Sequence, residues 1–211
     1  MTQPPPPPAP NPRSRRKQDA RARILAEARR IVLEQGYGAL TMRGIAQAAG
    51  YSAAALYLHF DSREAIARAL GSEGMRSLHG RLSMAAVAAD PLERLSALGL
   101  AYAAFAHEEA ETYRLIFMEP GFAETALGGK DEAGAAAFAL LAGAFVDLSA
   151  AGRLREGLQP LALARTFWVT LHGIVSLKMT CSHFLSTPAP EVFAEALDCL
   201  LRGLLRCGAE S

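Results

Sequence analysis

Apolar residues recur three and four positions apart along most of this chain, the spacing of one buried stripe on an α-helix. Ile24, Leu25, Ala28, Ile31 and Val32 fall within about 120° of arc at 100° per residue, while Arg23, Glu27, Arg30 and Glu34 take the opposite side at pairing distances. A first helix is therefore expected from near Gln18 to Gln35, ended by Gly36, with Leu33 its one misfit. Thr41 is placed to cap a short second helix, Met42 to Ala49, which Gly50 terminates. Ser52 is placed to cap a third, Ala53 to His59. Asp61 or Ser62 opens a fourth, with Glu64 in its first turn, running to about Ala89 although Gly71, Gly74 and Gly80 weaken it.

Asp90-Pro91 is a restart signal, an N-cap followed by proline at the first helical position. Further helices are expected over 91–107, 109–118, 130–151, 161–185 and 190–207, with breaks at Pro120-Gly121, Gly128-Gly129, Gly157 to Pro160 and Pro188 to Pro190. No β-branched alternating run appears. The pattern predicts an all-α protein of about nine helices: an N-terminal three-helix unit carrying a helix-turn-helix, then a helical bundle.

Composition sharpens this picture in two ways. The chain is 51% hydrophobic and 20% charged, ordinary for a globular protein. Its formal net charge of +1 conceals a division. Residues 1–70 hold 11 Lys and Arg against 5 Asp and Glu, whereas the remainder holds 11 against 16. A basic front and an acidic back suit a protein that meets a polyanion with its front alone. The first twelve residues, MTQPPPPPAPNP, have no apolar segment of the signal-peptide kind, and no uninterrupted apolar stretch reaches the ~18 residues of a membrane span. Three cysteines (Cys181, Cys199, Cys207) lack metal-ligand spacing and read as reduced thiols. The expected compartment is the cytoplasm, with no membrane partner.

The informative stretch is Thr41 to Arg63, TMRGIAQAAGYSAAALYLHFDSR. Two short helices joined at Ala49-Gly50-Tyr51 form a helix-turn-helix, in which Ala46, Ala48 and Ala49 permit close approach. The second is only about two turns long and exposes Ser52, Ala53, Ala54 and Tyr57; its use is to enter a major groove N-terminus first. Residues 21–70 resemble the DNA-binding domain of the tetracycline-repressor-like (TetR) family of bacterial regulators. The likeness rests on Ile24, Ala28, Gly36-Tyr37, Leu40-Thr41, Ile45-Ala46, Ala49-Gly50, Ser52, the run Leu56-Tyr57-Leu58-His59-Phe60, and Arg63-Glu64. Leu58 replaces the family's usual aromatic and Arg63 its usual lysine.

Thr41 offers a hydroxyl beside the open amides of a helix N-terminus, a phosphate site. The resemblance implies that Tyr57, His59 and Arg63 clamp the DNA backbone. Arg43, Tyr51, Ser52, Ala53 and Ala54 are the candidates for base contact, Arg43 foremost because a guanidinium grips guanine bidentately. Arg13 to Lys17 form a basic arm in an expected disordered tail, 1–17. The DNA-binding domain is expected over 18–65 and an effector-binding and dimerisation domain over 66–211. The expected partner is double-stranded, palindromic operator DNA, whose half-sites require a homodimer.

The last two helices are apolar over more than one face, through Phe167, Leu171, Ile174 and Leu177, then Val192, Leu197, Leu200, Leu201 and Leu204. In the resembling family this pair forms the dimer interface. For a small-molecule effector, largely apolar or aromatic, the candidate lining is Tyr102, Phe105, Tyr113, Phe117, Phe138, Phe145, Trp168, His172 and Met179. Trp168-Val-Thr-Leu-His172-Gly173 and Tyr113-Arg-Leu-Ile-Phe117 resemble a C-terminal subgroup with a Trp-x-x-x-His-Gly signature. Gly71-Ser-Glu-Gly74 is a candidate hinge. The expected action is repression released by the effector; an activator, or a regulator controlled by a partner or by nothing, remains the alternative. An enzyme is not expected: carboxylates are scattered, no phosphate loop or zinc spacing appears, and no catalytic residue, metal or cofactor is assigned.

Overall fold

The computed structural model describes residues 12–119, 131–181, 183–184 and 187–205. The proline-rich residues 1–11, the breaks at Pro120-Gly121 and Gly128-Gly129, and Cys207 lie outside the described residues. Among the described residues there are nine α-helices, one 3₁₀ turn and no strand, only an isolated antiparallel bridge between Leu154 and Leu205. The all-α architecture expected from the sequence is the one observed.

The chain divides into two units, Met1–Leu70 and Gly71–Ser211. The first contains α1 (Pro12–Gln35), a 3₁₀ turn (Tyr37–Ala39), α2 (Met42–Ala49), α3 (Ala53–Tyr57) and the start of α4 (Arg63–Ala85). The five residues of α1 chosen by periodicity are the five that are buried. Helix α1 begins at Pro12, not near Gln18, so Arg13 to Lys17 are helical and not part of a tail. Proline is pre-set for the first helical position, and Arg, Lys and Gln are good helix formers. Helix α3 stops at Tyr57, two residues early, because the amides of Leu58 and His59 fold back onto the carbonyls of Ala55 and Leu56 in a tighter turn.

The second unit contains the rest of α4, then α5 (Pro91–Glu108), α6 (Ala110–Phe117), α7 (Glu132–Ala150), α8 (Pro160–Thr180) and α9 (Ala189–Leu204). Helix α5 is its hub and touches α6, α7, α8 and α9. It starts where Asp90 accepts from the amides of Leu92 and Glu93, and the same carboxylate pairs with Arg153. That guanidinium bond is the main reason the Asp90 carboxyl titrates below the usual range. The core is built on Tyr102, Phe105, Tyr113, Phe145 and Leu95, each essentially closed to solvent. Burying one such side chain contributes about 1.5–3 kcal/mol.

The glycines of α4 do not interrupt it. The helix runs unbroken through Gly71, Gly74 and Gly80 and ends at Ala85, not Ala89. A Cβ on Gly74 would collide with the Thr112 and Ile116 side chains. This residue therefore serves close packing of α4 on α6. Gly99 is more demanding: a Cβ would fall inside the Phe193 ring's own contact radius, because that ring fills the space over α5. Helix α8 ends at Thr180, short of 185, with the Cys181 amide bonded to the Leu177 carbonyl.

Two helices, α7 and α8, are long and apolar enough on average to cross a membrane, although neither is an uninterrupted apolar run. Their buried faces are core: Leu141, Phe145 and Leu148 on one, Phe167, Trp168 and Leu171 on the other. Asp147 on α7 is held by Arg94 at 2.6 Å.

Candidate functional site

In the first unit, small buried residues set two short helices against a long one. Ile45, Ala46 and Ala49 of α2 and Leu56 of α3 are closed off with Ile24 and Ala28 of α1. The turn between α2 and α3 needs Gly50, whose φ of 74° and ψ of 32° are left-handed. That conformation lets the Tyr51 amide reach the Ala46 carbonyl at 2.8 Å and close the helix end. Both entry points are capped by hydroxyls: Thr41 Oγ1 accepts from the Gly44 amide and Ser52 Oγ from the Ala55 amide, each at 3.1 Å. A hydroxyl that accepts still carries its own proton as a donor.

What this frame presents is a surface. Thr41, Arg43, Ser52, Ala53, Ala54 and Tyr57 are exposed, and Tyr57 is 53% accessible. Tyr51 and His59 are partly buried and lie together, ring centroids 6.2 Å apart. His59 turns Nδ1 inward, with no hydrogen-bond partner among the described residues. The Arg63 guanidinium lies over the Tyr37 ring at 4.8 Å and bonds Glu64 at 3.2 Å, so it stands held at the start of α4.

Sequence reading gave no site role to Arg21, and to Tyr37 none beyond its part in the family likeness. Arg21 donates to the His59 carbonyl at 3.0 Å and lies over the Phe60 ring at 3.9 Å, tying α1 to the far end of α3. The available signal was a basic residue one turn before Ile24 on the otherwise apolar edge of α1.

In the second unit, residues far apart in the chain converge. Tyr113 Oη lies 2.6 Å from His172 Nδ1 and 3.0 Å from Tyr102 Oη, and Tyr102 Oη lies 3.3 Å from the same imidazole nitrogen. Burial pushes both phenols up, so each keeps its proton, and burial pushes the His172 imidazole down. A neutral imidazole carries one ring proton, and its tautomer decides whether Nδ1 accepts from the Tyr113 hydroxyl or donates to it. Phe117 and Trp168 complete the ring cluster; Trp168 lies 5.1 Å from Tyr102 and 6.3 Å from Phe138. The Trp168 indole N–H is buried without a partner among the described residues.

Three of the expected lining residues lie apart from this cluster's polar centre. Phe145 faces Phe167 instead, and Phe105 is stacked against Arg81. Met179 lines an open groove of about 510 Å³ with Leu100, Ala103, Ala104, His107, Val175 and Lys178. Of the apolar residues on the last two helices, Phe167, Leu171 and Leu197 are buried within the chain. Leu177 is exposed, as are Leu161 and Val169 on the same helix.

A tri-helical unit that seals its apolar residues and holds a capped, solvent-facing third helix is a helix-turn-helix of the DNA-binding kind. Comparison with known proteins supplies the family. Residues 24–70 match the model for bacterial regulatory proteins of the tetR family, and residues 95–200 match that for the tetracyclin repressor-like C-terminal domain. The chain belongs to the TetR family of transcriptional regulators, DNA-binding transcription factors and not enzymes.

A solved protein of unknown function from Rhodococcus sp. RHA1 is 30% identical over 89% of this chain and 96% of its own, with a TM-score of 0.74. The TetR family transcriptional regulator PfmR from Thermus thermophilus is 25% identical over 87% of this chain and 100% of its own, with a TM-score of 0.63. SmeT, the repressor of the Stenotrophomonas maltophilia multidrug efflux pump SmeDEF, shares the fold at 20% identity, covering 92% of this chain and 95% of its own, with a TM-score of 0.70. It has also been solved in complex with triclosan. No curated protein matches the chain at a significant level.

Proposed function

We propose that this protein is a ligand-responsive repressor, released from a palindromic operator by a small, largely apolar or aromatic molecule. The observation that carries the reading is the exposed N-terminal face of α3, capped by Ser52 and bearing only the small side chains Ala53 and Ala54. A helix of five residues stabilises little by itself, so its presentation to solvent points to groove insertion. On this reading Arg43, Tyr51, Ser52, Ala53 and Ala54 face base edges, and Thr41, Tyr57, His59 and Arg63 hold the phosphates. On the same reading the unit that ends at Leu70 binds DNA and the unit from Gly71 senses and dimerises, in a cytoplasmic homodimer joined through α8 and α9. Leu161, Val169 and Leu177 supply apolar surface on α8 for that contact.

The Trp168 N–H, without a partner among the described residues, and the Tyr102–Tyr113–His172 cluster support the sensing role, and with them the likeness to the Trp-x-x-x-His-Gly subgroup. A buried donor without a partner costs about 1–3 kcal/mol, which an acceptor on an incoming ligand removes. A ligand that prefers one arrangement of α6 against α4 at Gly74 biases α4, the helix both units share, and operator affinity changes by the difference in ligand affinity. The triclosan complex of SmeT supports an aromatic effector for this fold.

Selection of duplexes from a random-sequence pool tests the reading. A two-fold symmetric site with half-sites about one helical turn apart is expected. Enrichment of no sequence over bulk DNA at moderate salt would refute it.

A further inference from the structure

Helix α1 is longer than its packing requires. Its apolar stripe starts at Ile24, and from Pro12 to Arg23 no residue is buried. Pro12 to Asp19 are all exposed. This stretch of about three turns carries six cations, Arg13, Arg15, Arg16, Lys17, Arg21 and Arg23, against one acid, Asp19. Its first turn holds no acid, although the partial positive charge of a helix N-terminus favours acids there and repels cations. Among the described residues, Arg15, Arg16, Lys17 and Asp19 enter no salt bridge. Lys17 and Arg21 are like charges four residues apart, a further repulsion that a polyanion relieves.

Two of these cations reach the helix-turn-helix. Arg21 donates to the His59 carbonyl, just past the far end of α3. A guanidinium nitrogen of Arg23 stands 3.7 Å from where a Cβ on Gly50 would be, in the turn that precedes α3. The two arginines thus flank both ends of the short helix. Lys17 lies about 6 Å further along the axis than Arg21 and about 40° around it, so it extends the face that meets the end of α3, with Arg16 beside it. Pro12, Ala20 and Ala22 are the only apolar residues of the stretch, too few and too small to enter a bilayer.

We propose that the solvent-facing start of α1, through Arg15, Arg16 and Lys17, is a second DNA-contact surface that grips duplex phosphates beside the groove entered by α3. The proposal rests on the reading of α3 as the groove-entering helix and enlarges the surface that holds the backbone. A helix fixes the spacing of its cations, so they meet the phosphates without the ordering cost of a free tail. Phosphates carry no sequence, and the surface therefore adds affinity to every duplex alike.

Fluorescence anisotropy of the full-length protein on a labelled random-sequence duplex and on the selected operator, over a series of salt concentrations, tests this. Arg15→Gln, Arg16→Gln and Lys17→Gln combined remove the charge and keep good helix formers. The combined variant should lose affinity about tenfold or more on both duplexes, and its slope of log affinity against log salt should fall by about two to three. Its helicity and unfolding midpoint should hold, since these side chains are exposed. Lys17→Gln alone should lower the slope by about one, and Arg76→Gln, an exposed charge of the second unit, should leave it in place. An unchanged slope in the combined variant would overturn the proposal, as would a loss of affinity at constant slope, which marks a structural prop. An equal fall with Arg76→Gln would do the same by assigning the effect to net charge. Where the slope is unchanged but the operator is still preferred over random duplex, the second surface fails and the reading of α3 stands. Where the slope falls as expected but no operator is preferred, the surface stands and the operator reading fails.

Discussion

The two units of this chain keep their functional chemistry in opposite places. In the first, Thr41, Arg43 and Ser52 stand in solvent, and what holds them there is a closed apolar set beneath. In the second, Tyr102, Tyr113 and Trp168 are themselves the closed set; the two hydroxyls face each other and His172, and the indole N–H has no partner among the described residues. A protein that grips a large rigid polyanion needs a surface prepared in advance. One that detects a small molecule needs an interior whose packing a ligand can change. The first unit should therefore respond to surface substitutions through affinity, and the second to packing substitutions through stability.

The largest effect is expected where packing is tightest. Gly99→Ala drives a methyl group into the Phe193 ring, which must leave its place on α5. Overpacking of this kind costs about 1–3 kcal/mol. Gly80→Ala, within α4 where nothing lies within 4 Å of a new Cβ, should stabilise by up to about 1 kcal/mol because helical glycine is costly. Trp168 is the sole tryptophan, so its fluorescence through a denaturant titration reports the second unit alone. If both variants moved the midpoint in the same direction, the account of Gly99 as a packing glycine would be wrong.

Next comes a contrast within the first unit. Arg43→Ala should lose about 1–3 kcal/mol at the selected operator and relax one base position. Arg63→Ala should weaken operator and random duplex alike and lower the slope of log affinity against log salt by about one. Electrophoretic mobility shifts on both duplexes at several salt concentrations distinguish the two. The same profile for both variants would erase the division between reading and holding.

How much of this was legible in the sequence follows the same division. Caps, turns and helix periodicity are local, and they placed Thr41, Gly50 and Ser52 with no tertiary information. The buried face of α1 came out residue for residue because a 3.6 period marks it. Arg21 escaped because its partners, the His59 carbonyl and the Phe60 ring, are 38 and 39 positions away and no local rule links them. The same limit hid the role of Gly74, which looked like a helix breaker in the sequence and is a contact point for α6 in space. Aromatic content in the second unit was evident; which of those aromatics hydrogen-bond and which only pack, as Phe145 does, depends on convergence from three helices.

The smallest effect expected is also the most specific to the interior cluster. His172 is half-buried, and desolvation holds its imidazole below the ordinary value of 6.5. Folding thus disfavours the protonated ring. Between that depressed value and 6.5 the unfolded chain binds more protons than the folded one, so stability rises with pH across the window and levels off above it. Protonation would also make both ring nitrogens donors, so that Nδ1, 2.6 Å from the Tyr113 hydroxyl, could only donate to it. Acidification should therefore loosen the cluster before any other part of the second unit, seen as a change in Trp168 emission that precedes loss of far-ultraviolet helicity. His172→Gln keeps an uncharged hydrogen-bonding group at the position and should flatten the stability profile just below the ordinary imidazole value of 6.5. A profile as steep in that variant as in the parent would place the acid sensitivity elsewhere and leave the cluster as packing alone.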